Sequence, residues 1–166
     1  MPDASAITIR EATKLDVPLI LGFIQKKAAF DGVLHRVEAT EEKLAGELFG
    51  PRPGAFVLFA EIGEEVVGFA IYYLTFSSFL ARPGIWLDDL YVEERARGQG
   101  AGQALLAHLA KIADERGYGR VEWVTAAANA KGLAFYQRNG ARMQETVRVL
   151  RLDRPAISRL AQEGVA

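Results

Sequence analysis

From Ile85 to Leu106 the chain reads IWLDDLYVEERARGQGAGQALL, and this stretch holds the residues whose types and spacing best suit chemistry. Arg97 is followed by glycines at Gly98, Gly100 and Gly102, and a helical pattern starts at once with Gln103, Ala104, Leu105 and Leu106. Glycines lack a Cβ, so a ligand can approach the main chain closely there. The free N–H groups and positive end of a helix then favour an anion, by about 0.3–1 kcal/mol when exposed and up to about 2 when partly buried. A pyrophosphate fits that chemistry. Two other glycine loops fail on residues. A Walker loop needs Lys and Ser or Thr after its last glycine, where Gln103 and Ala104 stand, and a dinucleotide fingerprint begun at Gly98 would need glycine in place of Gln103. Nor is this a linker, since three glycines framed by an apolar run and a strong helix are not linker composition. Just upstream, Asp88 and Asp89 interrupt the apolar run. Strict alternation would turn only one of them to a given face, whereas a bulge would present both.

These groups need a scaffold, and the hydrophobic pattern supplies one. Ile7 to Arg10 alternates as a short strand. Asp16 ahead of Val17 and Pro18 marks a helix start, with Ile20, Phe23, Ile24 and Lys27 at helical spacing up to Gly32. Thr40 caps a second helix that carries Leu44 and Leu48 and stops at Gly50. Ala55 to Ile62 and Val66 to Phe76 form a hairpin about Gly63-Glu64-Glu65. The central strand follows, then a helix from about Gly100 to Arg116 with Leu105, Leu109 and Ile112 on one face and Gly117 closing it. Arg120 to Ala127 reads as a strand, Ala130 to Arg138 as a short helix ended by Asn139-Gly140, Arg142 to Leu152 as a last strand, and the tail beyond Pro155 as a loose helix. His108 falls off the apolar face and reads as solvated, and His35 and Glu38 read as surface loop. This order predicts one α+β domain over residues 1–166, with a mixed, mainly antiparallel central sheet flanked by helices in three α/β/α layers.

Composition narrows the partners. The chain has 166 residues, half of them hydrophobic, which is one domain with a real core. A net charge of −1 provides no basic field for nucleic acid or an anionic membrane, so a small ligand is expected. The absence of cysteine removes disulfides, thiolate metal sites and a Cys-acyl intermediate, and no metal is expected. The start MPDASAITIR shows no hydrophobic signal region, and no apolar run approaches the roughly 20 residues of a membrane span. A cytoplasmic location is the resulting expectation.

Arg97-x-x-Gly100-x-Gly102 resembles the Q/R-x-x-G-x-G/A loop of the GCN5-related N-acetyltransferase (GNAT) family. VVGFAIYYLTF, IWLDDLYV, ERARGQGAGQALL and NAKGLAFYQRNGA resemble, in order, the blocks of its diamine (spermidine/spermine) branch. The resemblance implies a GNAT-like fold, acetyl-CoA as cofactor, direct transfer of acetyl to a primary amine of a small cationic substrate, and a homodimer formed through the last strand. By the same resemblance the loop amides from Arg97 through Gly98, Gln99, Gly100, Ala101 and Gly102 to Gln103 hold the pyrophosphate. Main-chain N–H groups of Leu90, Tyr91 and Val92 would face the thioester oxygen. Asn129 matches an asparagine that contacts the pantetheine arm, with Lys131 and Gly132 beside it in the same block.

Tyr136 resembles the family's tyrosine general acid, and a phenol near pKa 10 is close enough to a thiol for proton transfer not to be steeply uphill. The plainer reading makes Phe135 and Tyr136 core aromatics. Asp88 stands where the diamine branch has a glutamate, with Asp89 beside it. A free carboxylate cannot simply deprotonate an alkylammonium, because about 6.5 pKa units, roughly 9 kcal/mol, separate them. Asp88 is therefore expected to hold the cation and to accept a proton through water once attack has acidified the nitrogen. Phe30-Asp31 lines up with an aromatic-acid pair that contacts substrate in the branch. Two departures bear on the amine: aspartate is one methylene shorter than glutamate, and the segment after Gly140 is short, with Glu145 its only acid in RMQETVR. A short diamine or lysine-like amine suits these better than a long polyamine. The other readings are acetylation of a protein N-terminus or lysine, and a catalytically silent acyl-CoA sensor.

Overall fold

The computed structural model describes residues 6–164. Residues 1–5, where the amino-terminal stretch read for a signal begins, lie outside the described residues, as do 165–166. The chain divides into two compact units, Met1–Asn129 and Ala130–Ala166.

The first unit is built on a five-stranded sheet in the order β1 (Ile7–Glu11), β2 (Phe56–Ile62), β3 (Glu65–Ser77), β4 (Arg82–Val92) and β5 (Val121–Glu122). The first four pair antiparallel, and β5 joins β4 in parallel. Helices α1 (Val17–Phe30) and α2 (Glu41–Phe49) cover one face, and α3 (Ala101–Glu115) the other. On the α3 side Leu105 and Leu109 pack on Leu58, Ala70, Ile85 and Leu87; on the α1 side Ile20 and Phe23 pack on Phe59, Phe69 and Ile71. Three layers result because each strand alternates its apolar side chains between the two cores.

Local signals act largely as read. The Thr40 hydroxyl accepts the Lys43 N–H at 3.2 Å and caps α2, and Gly117 leaves α3 with φ +67°. Asp16 precedes α1 but does not cap it. It ends a 3₁₀ turn over Lys14–Asp16, where its backbone is already helical, and its carboxylate instead accepts the Thr13 N–H at 2.7 Å and pairs with Arg10 at 2.8 and 2.9 Å. Arg10 also reaches Glu61 at 2.5 Å, tying β1 to β2 and to the start of α1.

The Arg10 guanidinium holds the Asp16 carboxyl down at about 2. A depressed value in the folded state means that the stabilisation is complete above the unfolded value near 3.8 and is lost as pH falls through about 2. Asp16→Asn is therefore expected to lose about 1–2 kcal/mol in urea unfolding at pH 7, a deficit that shrinks between pH 4 and pH 2. A constant deficit across that range would deny the ion pair its role.

Two strands differ from the sequence reading. The expected strand from Arg120 to Ala127 pairs only over Val121–Glu122, opposite Ile85 and Trp86. Its second half is rich in alanine, which gains little from a pleated neighbour. The second unit consists of α4 (Ala130–Arg138), a coil with turns at 139–140 and 145–146, and α5 (Arg154–Glu163), whose first turn is capped by Asp153 accepting the Ala156 N–H at 3.0 Å. The last strand expected over 142–152 does not form there. Its alternation of Met143, Val147 and Val149 suits a strand, but among its described residues this unit offers no second strand, and extended chain without a ladder gains no hydrogen bonds.

Candidate active site

Strand β4 carries an irregularity where the acids lie. Ile71 faces Asp89 and Tyr72 faces Leu87, so Asp88 has no partner on β3. One unmatched residue changes the parity of the strand. Before it, Ile85 and Leu87 point to the α3 core; after it, Leu90 and Val92 do. Asp89 and Tyr91 consequently turn to the α1 side, the side that Trp86 and Asp88 already face. Trp86 stacks on Tyr73 with 6.4 Å between ring centres, and the Asp88 charge acts on that same tyrosine. The bulge thus presents both acids to one face.

The end of α1 meets them. Phe30 lies edge-on to Tyr91 at 6.3 Å, and Asp31, next in the chain, forms an ion pair with Lys27 one turn back. Burial raises the Asp89 carboxyl to about 6, with the Asp88 and Asp31 charges adding to the rise and Lys27 opposing it. Asp88, on the outside of the bulge, is exposed. Phe30, Asp31, Asp88, Asp89 and Tyr91 therefore form one cluster of aromatic rings and carboxylates with a single lysine beside it.

The glycine loop follows directly. Gly98 and Gly100 have φ of +77° and +96°, values that L side chains rarely adopt, and a Cβ on Gly100 would also meet the Ile7 Cδ1 at 3.3 Å. Gly100 is the N-cap of α3, and no side chain caps that end. The first-turn N–H groups of an α-helix have no partner within the helix, so those of Ala101, Gly102 and Gln103 are available to an anion. Residues 97–100 are exposed. A pyrophosphate fits this loop: uncapped helix amides, turns open only to glycine, and a charge-bearing arginine at its start. Gln99 braces the loop by donating to the Arg95 carbonyl at 3.1 Å, and Arg95 pairs with Glu65 at 2.5 and 2.8 Å.

Beyond Trp86, β4 has no strand partner on the side away from β3 among the described residues of this unit, because β5 ends at Glu122. Leu90, Tyr91 and Val92 commit their side chains to the two cores while their main chain borders that opening. Asn129, at the end of this unit, closes a turn by donating its N–H to Ala126 at 2.9 Å and places its amide 3.3 Å from the Thr125 hydroxyl. Lys131, Gly132 and Tyr136 stand on α4, where the rings of Phe135 and Tyr136 are 5.2 Å apart, and Glu145 lies in the exposed coil after it. The structure adds one participant, Lys27, and gives Arg97 contacts beyond the loop. Lys27 was counted only as part of a helical stripe, although its i,i+4 spacing to Asp31 signals an ion pair. Arg97 was assigned to the loop, although its guanidinium carbon lies 4.9 Å from the Phe30 ring centre and 5.5 Å from that of Tyr91.

A three-layer mixed sheet, opened beside a bulged central strand that runs into a glycine loop and helix, is the frame the loop's resemblance implies for an acyltransferase. The acetyltransferase (GNAT) family matches residues 25–141. The chain belongs to that family and is an N-acetyltransferase, and the family's acyl donor is acetyl-CoA. It is 33% identical over 141 residues to a thialysine N-epsilon-acetyltransferase of Mus musculus, covering 80% of this chain and 82% of that protein. It is 29% identical over 194 residues to an L-ornithine N5-acetyltransferase of Arabidopsis thaliana, covering 90% and 85%. Together with a 31% identical spermidine/spermine N(1)-acetyltransferase-like protein of Homo sapiens, covering 80% of this chain and 20% of that one, these relatives support the diamine acetyltransferase branch. Among solved structures, an integron cassette protein from V. cholerae superposes with a TM-score of 0.77 at 27% identity, covering 94% of this chain and 98% of its own.

Proposed function

We propose that this acetyltransferase acts on the side-chain amine of a short dibasic compound, a lysine-like or ornithine-like amine, as one working domain of 166 residues. The observation that carries this reading is the bulge at Asp88, which turns two carboxylates to the α1 side within reach of the Asp31 charge. Acetyl-CoA would supply an acetyl group activated as a thioester. Gly98, Gln99, Gly100, Ala101, Gly102 and Gln103 would hold its pyrophosphate by their main chain, with Asn129, Lys131 and Gly132 along the pantetheine arm.

The carboxylates recruit and then unload the amine. Asp88 and Asp89 hold the ammonium, and Asp31 beside Phe30 holds a second cationic group, with Glu145 a further anchor. Asp89 at about 6 narrows the gap to a lysine-type amine from roughly 9 to about 6 kcal/mol. One ammonium proton passes to water before attack, since only the neutral amine has a lone pair. We assign the second, shed once attack has acidified the nitrogen, to Asp89, and the first hold on the cation to the exposed Asp88. Tyr136 holds the proton that sulfur takes as it leaves. Names of the relatives support a short amino-acid-like amine, and the single lysine beside the acids suits a substrate that is not uniformly cationic.

A thiol-release assay with acetyl-CoA tests this directly. L-ornithine, thialysine and lysine are expected to turn over, with 1,3-diaminopropane and spermidine slower by about tenfold or more, and peptides silent. Preference for a peptide amino terminus would replace this reading with protein acetylation, and CoA binding without turnover of any amine would replace it with a sensor.

We further propose a homodimer in the cytoplasm. Among the described residues no helix is long and apolar enough to cross a membrane. The run from Met143 to Leu152 leaves Val147, Val149 and Leu150 more than half exposed, at 61, 68 and 92%. Such a run can find in a second copy the ladder it lacks alone. Light scattering is expected to give twice the chain mass, and Val149→Lys to return it to one; a wild-type monomer at high concentration would refute the assembly.

A further inference from the structure

Phe30 raises a question that packing does not answer. It is a large apolar side chain, 53% exposed, at the last position of α1. Its ring nevertheless has two specific neighbours, the Tyr91 ring at 6.3 Å and the Arg97 guanidinium at 4.9 Å. That guanidinium also lies 5.5 Å from the Tyr91 ring centre, and its Nε donates to the Val92 carbonyl at 3.0 Å. Arginine over two aromatic faces with a fixed donor is a preorganised arrangement, since the planar fork loses little freedom on forming each contact. The first residue of the anion loop is thus held by the last residue of α1 and by the end of β4. Asp31, which pairs with Lys27 and whose charge reaches Asp89, comes immediately after Phe30.

We infer that Arg97 is a positioning residue that joins the glycine loop to the amine-facing end of α1 through Phe30 and Tyr91, so that occupancy of the loop and binding of the amine favour each other. This rests on the proposed cofactor role of the loop. Fixing the guanidinium by a diphosphate fixes the rings against it, and with them the turn that carries Asp31. By thermodynamic linkage an intact Phe30 must then tighten the hold on the anion. No contact between Phe30 and the cofactor is required.

A double-mutant cycle read with coenzyme A alone tests the link. Binding is measured calorimetrically for the wild type, Phe30→Leu, Phe30→Tyr, Arg97→Met and the Phe30→Leu/Arg97→Met pair. Thermal unfolding confirms that each variant is folded, which the exposure of both side chains favours. Phe30→Leu is expected to weaken coenzyme A binding about two- to fivefold, the worth of an exposed cation–π contact. Phe30→Tyr keeps a ring and should bind as the wild type does. In the Arg97→Met background, Phe30→Leu should have no further effect. Unchanged affinity in Phe30→Leu, or the same loss in both backgrounds, overturns the inference while leaving the cofactor reading intact. A folded wild type that binds no coenzyme A overturns both.

Discussion

Tyr136→Phe is expected to lower kcat by about 10²–10⁴ while coenzyme A affinity stays within about twofold. The phenol and a thiol have ordinary pKa values near 10 and 8.5, so a proton held on Tyr136 can be shared with departing sulfur at little cost. Phenylalanine keeps the ring and its 5.2 Å contact with Phe135, and removes only the hydroxyl. Circular dichroism and thermal unfolding of the variant check that the helix is kept, so that the fall can be read as one in turnover. A second signature separates an acid from a packing residue: the fall in kcat should be smaller for an acyl thioester whose thiol is more acidic and leaves without help. Equal losses in kcat and in cofactor affinity would take Tyr136 out of the acid's role and leave it a packing residue beside Phe135.

Asp89→Asn is expected to raise the amine KM by about 10- to 150-fold, the worth of a charge-assisted hydrogen bond, and to remove an acid limb near pH 6 from the kcat/KM profile. The substitution should have the opposite effect on stability. Burial and the neighbouring acids raise the folded-state value above the ordinary 3.8, so folding favours the protonated form. The favourable contribution is complete below the unfolded value and is lost as pH rises through about 6, leaving a cost at neutral pH and above. At pH 8 the amide is expected to unfold with about 1–3 kcal/mol more stability than the wild type, an advantage that disappears by pH 4. A variant less stable at pH 8, or an unchanged acid limb, would mean that the titrating group lies elsewhere. Loss of function together with gain of stability would mark Asp89 as a group kept at the fold's expense.

What could be read from the sequence divides along physical lines. Periodicity gave α1, α2, α3 and the β2–β3 hairpin because each buries a continuous apolar face, and burial dominates those elements. The glycine loop was readable because positive φ leaves few residues able to serve, as Gly98 and Gly100 bear out. A bulge follows from the sequence only as a condition, for both acids to share a face and for the strand to open around Leu90 to Val92. Its position at Asp88 depends on how β3 pairs with β4, and pairing is a property of two strands that neither sequence contains alone. The same limit explains the strand expected over 142–152: Val147 and Val149 have the propensity, and propensity does not provide a partner. The Arg97 contact with Phe30 joins positions far apart in the chain, and only tertiary packing reveals it.

The unmatched residue on β4 is the one place in the strand where the site and the fold make separate demands. Many side chains at position 88 would leave the fold standing. Deleting that residue would restore strict alternation, with Leu90 and Val92 still toward α3 and Tyr91 still toward α1, and would take away the second carboxylate on the face of Asp89. Descendants of this chain can therefore change or even lose the residue at position 88 and keep the sheet, so that the site can evolve where the fold is indifferent.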